Sequence, residues 1–351
     1  MVDKLVPNDP RVTHHTTTLP SGHTYHYLEA LPPSGTTPLA TVVLVHGFPD
    51  LSFGWRYQIP YLTSSLSLRV IIPDMLGYGL TSAPSPIPPY SYKSLCTDLA
   101  ALITHTSPGS PIILGGHDWG GAIVWRFALR HPSLLQGVFS ICTPYNAPNS
   151  QGYLPKRTVI EQFLPNFAYQ LQFEDTALES RINASGREGI RKFLNILYGS
   201  KDETTGKGHF VANVGIDLAL FDPEVTVAKS QLLSEEELEF YVTEYERNGI
   251  HGPMNYYRTW DVNYQEEAED LVKEGKSKVL VPGMIVTATR DTALPPAMAA
   301  GMEQFFERGL IKKEVNASHW ATWENPEEVN KAIGEFVGEL LGKGKGFKAS
   351  I

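Results

Sequence analysis

The chain has 351 residues, of which 42% are hydrophobic and 19% are charged, and its formal net charge is −9. This composition is typical of a folded globular protein rather than a disordered chain. Because a phosphate backbone requires a concentrated positive surface and the sequence has no long basic run, we expect no nucleic-acid partner.

No segment predicts attachment to a membrane. The first residues, "MVDKLVPNDPRV", lack the apolar core of a signal peptide, and the longest apolar stretch, "SKVLVPGMIVTAT", is too short to span a bilayer. The two cysteines, Cys96 and Cys142, cannot form a disulfide framework, so we expect buried reduced thiols. We therefore expect a cytoplasmic protein with no membrane anchor.

The predicted elements begin with a hairpin. "RVTHHTTTL" and "HTYHYLEA" flank the turn "PSG" and alternate in polarity, which predicts antiparallel strands at a sheet edge. Helical patterns then separate short Val- and Ile-rich runs that do not alternate. Such runs predict parallel strands buried on both faces, and therefore an α/β fold. They comprise residues 41–47, 69–75, 111–118, 137–142 and 278–291.

The middle of the chain differs, because residues 145–260 contain no predicted buried strand. Ser234 and Glu237 have the spacing of a capping box. Apolar residues follow at helical spacing, and Gly249 provides a helix stop. We interpret this part of the chain as a helical lid inserted into one α/β core.

The predicted domain organisation follows from that insertion. We expect residues 1–144 and 263–351 to form the two parts of one α/β core, and residues 145–262 to form the lid. The sequence "GKGKGFK" near the C-terminus is expected to be a disordered, solvated end.

The sequence "GGHDWGG" lies between a predicted strand and a predicted helix. Gly116, Gly120 and Gly121 flank its centre, as a sharp nucleophile turn requires. A serine at the centre would suit acyl transfer, but its attack on saturated carbon would leave an ether that water does not cleave. Asp118 would instead form an alkyl ester that water can cleave, so it predicts ring opening or halide displacement. A helix-capping role is the structural alternative, which the strand–turn–helix context disfavours.

Hydrolysis of such an ester requires a base and a group that orients it. "NASHWATWENP" places His319 after the last predicted strand, and Asp291 ends the strand "MIVTATRD". The loop after "GVFSIC" is the other place for an acid, but it offers only Asn146, which favours Asp291. We expect the oxyanion donors to be the backbone N–H groups of Trp119 and Phe48.

Taken together, "HGFPD", "GGHDWGG", "GPMNYYR", "RDTALPPAM" and "SHW" resemble the α/β-hydrolase-fold epoxide hydrolases of the soluble fungal branch. The resemblance extends from about Pro7 to Leu341. It implies that Asp118 is the nucleophile, His319 the base and Asp291 the orienting acid. It also implies that Tyr169 and Tyr257, from the lid, activate the epoxide oxygen.

The resemblance implies a small apolar epoxide and water as substrates, with no cofactor and no metal. A phenol is neutral at pH 7, so it can donate a proton as the C–O bond breaks. Tyr256 adjoins Tyr257, and we expect it to pack rather than react. Aromatic lid residues predict an apolar pocket for aryl or alkyl epoxides; they are Phe163, Phe167, Phe173, Phe193, Tyr198 and Phe210.

Two other functions remain open on the sequence. A haloalkane or haloacetate dehalogenase would use the same Asp nucleophile, and the indole N–H of Trp119 could bind the departing halide. Phe48 cannot donate from its side chain, which disfavours this function. A non-catalytic receptor with the same fold is the second alternative, because fold does not determine function. The oligomeric state also stays open, with a homodimer as one option.

Overall fold

The computed structural model describes residues 2–342, so the tail predicted to be disordered lies outside the described residues except for Gly342. An eight-stranded sheet forms the centre of the molecule, with the order β1-β2-β4-β3-β5-β6-β9-β10. Its strands are β1 (Thr13–Thr18), β2 (Thr24–Ala30), β3 (Thr41–Val45), β4 (Arg69–Pro73), β5 (Ile112–His117), β6 (Leu135–Ile141), β9 (Gly283–Ala288) and β10 (Leu310–Val315).

The sheet combines an antiparallel edge with a parallel centre. Strands β1, β2 and β4 pair antiparallel, and all pairs from β4 to β10 are parallel. The predicted edge hairpin and the α/β fold are therefore confirmed. Residues 278–291 form a shorter strand than predicted, because β9 begins only at Gly283, after Pro282, which has no N–H for a strand ladder.

Within residues 2–342, five α-helices lie outside the segment between β6 and β9: α1 (Gln58–Pro60), α2 (Tyr92–Thr106), α3 (Trp119–Arg130), α11 (Ala321–Glu324) and α12 (Pro326–Leu340). Helix α3 follows β5 directly and packs on β5 and β6. Asn325 caps helix α12, since its side chain accepts a hydrogen bond from the N–H of Glu328, and Pro326 occupies the first turn.

The segment between β6 and β9, which we call the lid segment, is mainly helical. It contains α4 (Lys156–Gln162), α5 (Tyr169–Glu174), α6 (Thr176–Ala184), α7 (Gly186–Leu197), α8 (Glu235–Asn248), α9 (His251–Asn255) and α10 (Trp260–Glu267). It also contains a hairpin of β7 (Phe210–Val211) and β8 (Gly215–Ile216), which is too short for a strand pattern to predict. The domain limits at residues 144/145 and 262/263 stay a prediction.

Helix α8 attaches this segment to the core. Its capping box is present as predicted, with Ser234 and Glu237 each bonded to the other's backbone N–H. Glu237 also forms an ion pair, at 3.0 Å, with Arg56, whose side chain is fully buried. The hydroxyl of Tyr241 donates a 2.6 Å hydrogen bond to Asp50 in the loop after β3.

Cys96 and Cys142 are buried and unpaired, as their number and spacing predict. Within residues 2–342, no helix combines the length and apolarity that crossing a bilayer requires.

Candidate active site

Asp118 lies at the turn between β5 and α3. Its φ of 53° and ψ of −123° fall outside the regions that most residues prefer. A side chain at Gly120 would collide with the carbonyl of Val45, so glycine is required where the turn approaches β3. The strand, turn and helix predicted around "GGHDWGG" are all present, and they place Asp118 at the carboxyl end of the parallel strands.

The carboxylate of Asp118 is buried and has two different neighbours. The backbone N–H of Phe48 donates a hydrogen bond to Oδ1 at 2.7 Å. Nε2 of His319 lies 3.3 Å from Oδ2. The hydroxyl of Thr143 donates to the Asp118 carbonyl at 2.7 Å and so fixes the turn from the end of β6. One carboxylate oxygen is thus held by the backbone, and the other faces the histidine.

His319 and Asp291 meet behind Asp118, although 28 residues separate them in sequence. Nδ1 of His319 donates to Oδ2 of Asp291 at 2.7 Å, and the N–H groups of Ala293 and Leu294 donate to Oδ1 at 2.9 Å each. Burial raises the pKa of Asp291, but His319 and these two N–H groups outweigh burial and hold it below its usual value. The ionised carboxylate therefore keeps a proton on Nδ1, and Nε2 is directed toward Asp118.

The pKa of His319 reflects its two acidic neighbours. Burial lowers this pKa, but the carboxylates of Asp291 and Asp118 outweigh burial and raise it well above its usual value. The imidazole therefore keeps its second proton to a higher pH than an ordinary histidine. Loss of the negative charge on Asp118 would remove one of the two groups that raise the pKa.

The backbone carbonyl of His319 has two further neighbours. His117 Nε2 donates to it at 2.8 Å, and Cys142 Sγ donates at 3.4 Å. Burial, followed by the charge of His319, lowers the pKa of His117 to about 4, so this side chain stays neutral. Ligand atoms of His117, Cys142 and His319 lie within 4.8 Å of one another, the spacing of a metal site. Two of the three side chains share one carbonyl acceptor, which accounts for their proximity without an ion.

The two tyrosines come from separate parts of the lid segment. Tyr169 is the first residue of α5, and Tyr257 belongs to the helical turn Tyr256–Arg258. Their ring centroids are 6.1 Å apart, and the ring of Tyr257 also lies 5.0 Å from that of Phe48. Burial, the largest influence on each hydroxyl, raises both pKa values. Both phenols are therefore neutral donors at physiological pH.

Tyr256 and Trp119 adjoin Tyr257 and Asp118 in the sequence, and each makes its own contacts. The hydroxyl of Tyr256 donates to the carbonyl of Leu76 at 3.0 Å, so this tyrosine packs as expected. The N–H of Trp119 lies at the first position of α3, where a helix provides no internal acceptor, whereas the N–H of Phe48 already binds Asp118. The indole of Trp119 lies perpendicular to the ring of Tyr257, with centroids 5.2 Å apart.

A cavity of about 580 Å³ lies between the core and the lid segment. Asp118, Trp119, Tyr169 and Tyr257 all line it. Phe48, His319 and Asp291 do not line it. The N–H of Phe48 and Nε2 of His319 contact the Asp118 carboxylate, and Asp291 contacts His319. Of the aromatic lid residues predicted to form an apolar pocket, Phe163 and Phe167 line the cavity. Phe173 and Phe210 pack against the ring of Tyr169 without lining the cavity themselves, and Phe193 and Tyr198 are buried away from it.

The predictions from sequence missed several groups around this site. Thr143, which holds the carbonyl of Asp118, follows β6 without any motif of its own. Lys156 lines the cavity as a buried cation, and its sequence context, "LPKRT", resembles an exposed loop. His117 adjoins Asp118 in the sequence, and this is the one signal that could have indicated a role for it. Asn146 lines the cavity, and its carbonyl accepts from Arg126.

Comparison with known proteins places this site in a family. Residues 40–326 match the family described as alpha/beta hydrolase fold. The epoxide hydrolase srdG of Neurospora crassa is 47% identical over 348 residues, which cover 97% of this chain and 99% of that protein. The rat bifunctional epoxide hydrolase 2 is 32% identical over 93% of this chain, which spans only 55% of that longer protein.

Solved structures give the same result. Epoxide hydrolase A from Mycobacterium thermoresistibile superposes with a TM-score of 0.77 at 26% identity, covering 93% of this chain and 98% of its own. The fold and the carboxylate turn define an alpha/beta hydrolase with an aspartate where many members carry serine. The chain belongs to the alpha/beta hydrolase fold family and, within it, to the epoxide hydrolases.

Proposed function

We propose that this protein hydrolyses epoxides to vicinal diols through a covalent ester on Asp118. The observation that carries the proposal is that the carboxylate of Asp118, with the His319–Asp291 pair behind it, lines the same cavity as the neutral phenols of Tyr169 and Tyr257. The carboxylate suits attack at saturated carbon, and the neutral phenols suit protonation of an alkoxide.

In the first step, Oδ2 of Asp118 forms a bond to the less hindered epoxide carbon. The bond from that carbon to the ring oxygen breaks, and the oxygen takes a proton from a tyrosine. Tyr169 and Tyr257 both hydrogen-bond to this oxygen as negative charge develops on it. Oδ1 keeps its hydrogen bond from the N–H of Phe48 and becomes the ester carbonyl oxygen.

In the second step, His319 removes a proton from water, whose oxygen adds to the ester carbonyl carbon. The charge that forms on Oδ1 is stabilised by the N–H groups of Phe48 and Trp119. The acyl C–O bond then breaks, and the departing oxygen of the diol takes the proton from His319. The Asp118 carboxylate is regenerated, and the remaining proton returns the tyrosine to its neutral form.

The apolar character of the cavity supports a small aryl or alkyl epoxide as substrate, with water as the second reactant. We place this reaction in the cytoplasm, on the basis of the sequence. A dehalogenase is the less favourable assignment, because Phe48 provides no side-chain donor for a halide.

The test is an activity screen over racemic styrene oxide and short alkyl epoxides, with release of bromide from a bromoalkane measured in parallel. Diol formation that is absent in Asp118→Ala supports the proposal. In a single turnover in ¹⁸O-labelled water, the label should enter Asp118 and not the diol. Label in the first-turnover diol would contradict a covalent ester, and bromide release alone would favour the dehalogenase.

A further inference from the structure

Lys156 is a charged residue in the lining of a largely apolar cavity. Its side chain is only 7% exposed, and it begins helix α4. A buried ammonium is costly unless its donors are paired, so its position calls for a specific set of acceptors. Those acceptors belong to the two helical segments that carry Tyr169 and Tyr257.

Nζ of Lys156 donates a hydrogen bond of 2.6 Å to the backbone carbonyl of Tyr257. It also donates to the carbonyl of Gln170 at 3.3 Å, one residue after Tyr169. The carboxylate of Glu174, at the end of α5, lies 2.9 Å from the same nitrogen. One ammonium group therefore joins the helix that carries Tyr169 to the turn that carries Tyr257.

We propose that Lys156 is a positioning residue that fixes the spacing of Tyr169 and Tyr257, so that both hydroxyls reach one epoxide oxygen. This inference rests on the proposed function, since the spacing matters only if both phenols act on the same atom. Lys156 acts through backbone carbonyls and does not itself touch the reacting atoms. Its effect is therefore confined to the ring-opening step, in which the tyrosines take part.

The test separates the two chemical steps in Lys156→Met with racemic styrene oxide as the probe. A single-turnover experiment gives the rate constant for ester formation, and protein mass spectrometry follows the decay of the ester. We expect ester formation to slow about 10- to 100-fold, the usual cost of misplacing a reacting group by about 1 Å. Hydrolysis of the ester, which depends on His319, should keep its wild-type rate constant.

Lys192 provides a matched control. It is a second buried lysine of the lid segment, and its Nζ donates to the carbonyl of Asp222 at 2.8 Å. Lys192→Met removes a partly buried hydrogen bond of a buried lysine away from the cavity, so both rate constants should remain at the wild-type values. Equal slowing of ester formation in the two variants, or equal slowing of both steps in Lys156→Met, would indicate general destabilisation and overturn the inference.

A double-mutant cycle with Tyr257→Phe tests whether Lys156 acts through the tyrosine. The phenylalanine keeps the backbone carbonyl but has no hydroxyl to position. Lys156→Met should therefore slow ester formation less in the Tyr257→Phe background than in the wild type, and additive effects would refute the inference. Absence of an ester in the wild type would refute the proposed function itself, whereas a normal rate of ester formation in Lys156→Met would refute only the role of Lys156.

Discussion

His319 lies between two carboxylates, and only one of them keeps its charge through the proposed cycle. Asp118 becomes a neutral ester after ring opening, whereas Asp291 stays ionised. Since both charges raise the pKa of His319 in the resting site, the pKa falls when the ester forms. The imidazole therefore loses its second proton at a lower pH in the ester than in the resting site, which favours the neutral base that ester hydrolysis needs.

This change predicts the pH dependence of ester hydrolysis. The rate constant should fall as the pH decreases through the pKa of His319 in the ester, because the protonated imidazole cannot accept a proton from water. Asp291→Asn should shift this acid limb to lower pH and reduce the maximal rate, since it removes the remaining charge that raises the pKa. Single-turnover hydrolysis measured at several pH values tests this. A rate constant independent of pH down to about pH 4 would contradict the assignment of His319.

The tyrosines allow a prediction with an internal control. Tyr169→Phe and Tyr257→Phe should each slow ring opening by at least about 10-fold, because proton donation to a leaving group contributes ~10²–10⁴ and the two phenols share it. Tyr256→Phe should leave the rate unchanged, since that hydroxyl already binds the carbonyl of Leu76. Steady-state diol formation measures all three. A larger loss of rate in Tyr256→Phe than in Tyr257→Phe would show that Tyr256, and not Tyr257, donates to the epoxide oxygen.

Among the elements, α8 connects the lid segment to the core through Glu237. Its carboxylate accepts from the backbone N–H of Ser234 and pairs with both Arg56 and Lys4. Burial raises the pKa of Glu237, but these partners outweigh burial and lower it. The residue therefore serves at once as half of a capping box and as the anion for a fully buried arginine.

Glu237→Gln should reduce the free energy of unfolding by about 3–5 kcal/mol, because it leaves the charge of Arg56 buried without an anion. Ser234→Ala removes only the cap and should cost about 1 kcal/mol. Urea denaturation followed by circular dichroism distinguishes the two. If Glu237→Gln lowers the free energy of unfolding no more than Ser234→Ala does, the buried ion pair contributes little to stability.

Elements with a strong local signal could be predicted from the sequence. The buried runs of β3, β5 and β6 and the capping box of α8 depend on neighbouring residues, so their positions match the pattern. Strand β9 begins later than its apolar run, and the β7–β8 hairpin was not predicted. The late start of β9 follows from Pro282, which has no N–H for a strand ladder, whereas the two-residue strands β7 and β8 are too short for a local pattern to indicate.

At the scale of the whole molecule, the lid segment is hydrogen-bonded to the loop that carries Phe48. The hydroxyl of Tyr198 binds the carbonyl of Pro49, and the hydroxyl of Tyr241 binds Oδ1 of Asp50. Burial raises the pKa of Asp50 to about 7, although Tyr241 and the N–H of Leu51 oppose it. The contact between lid and core therefore includes a carboxyl group that resists ionisation.

The raised pKa of Asp50 predicts that the free energy of unfolding depends on pH. An unfolded Asp ionises near pH 4, whereas folded Asp50 does so near pH 7, so stability falls as the pH rises between these values. Asp50→Asn cannot ionise and should become more stable relative to the wild type from pH 4 to pH 7. Unfolding free energies of both proteins at several pH values test this. A difference that stays constant with pH would show that Asp50 titrates normally.

The sequence by itself determined the fold class, the Asp118 turn and the order of the acid and base candidates, because each depends on residues adjacent in the chain or on strand ends. The choice of Tyr169 and Tyr257 rested on family resemblance, since 16 tyrosines have similar neighbours. Only the tertiary structure placed these two phenols on one cavity with Asp118 and joined their backbones through Lys156. Contacts between distant segments arise when the whole chain packs, and no local sequence pattern contains them.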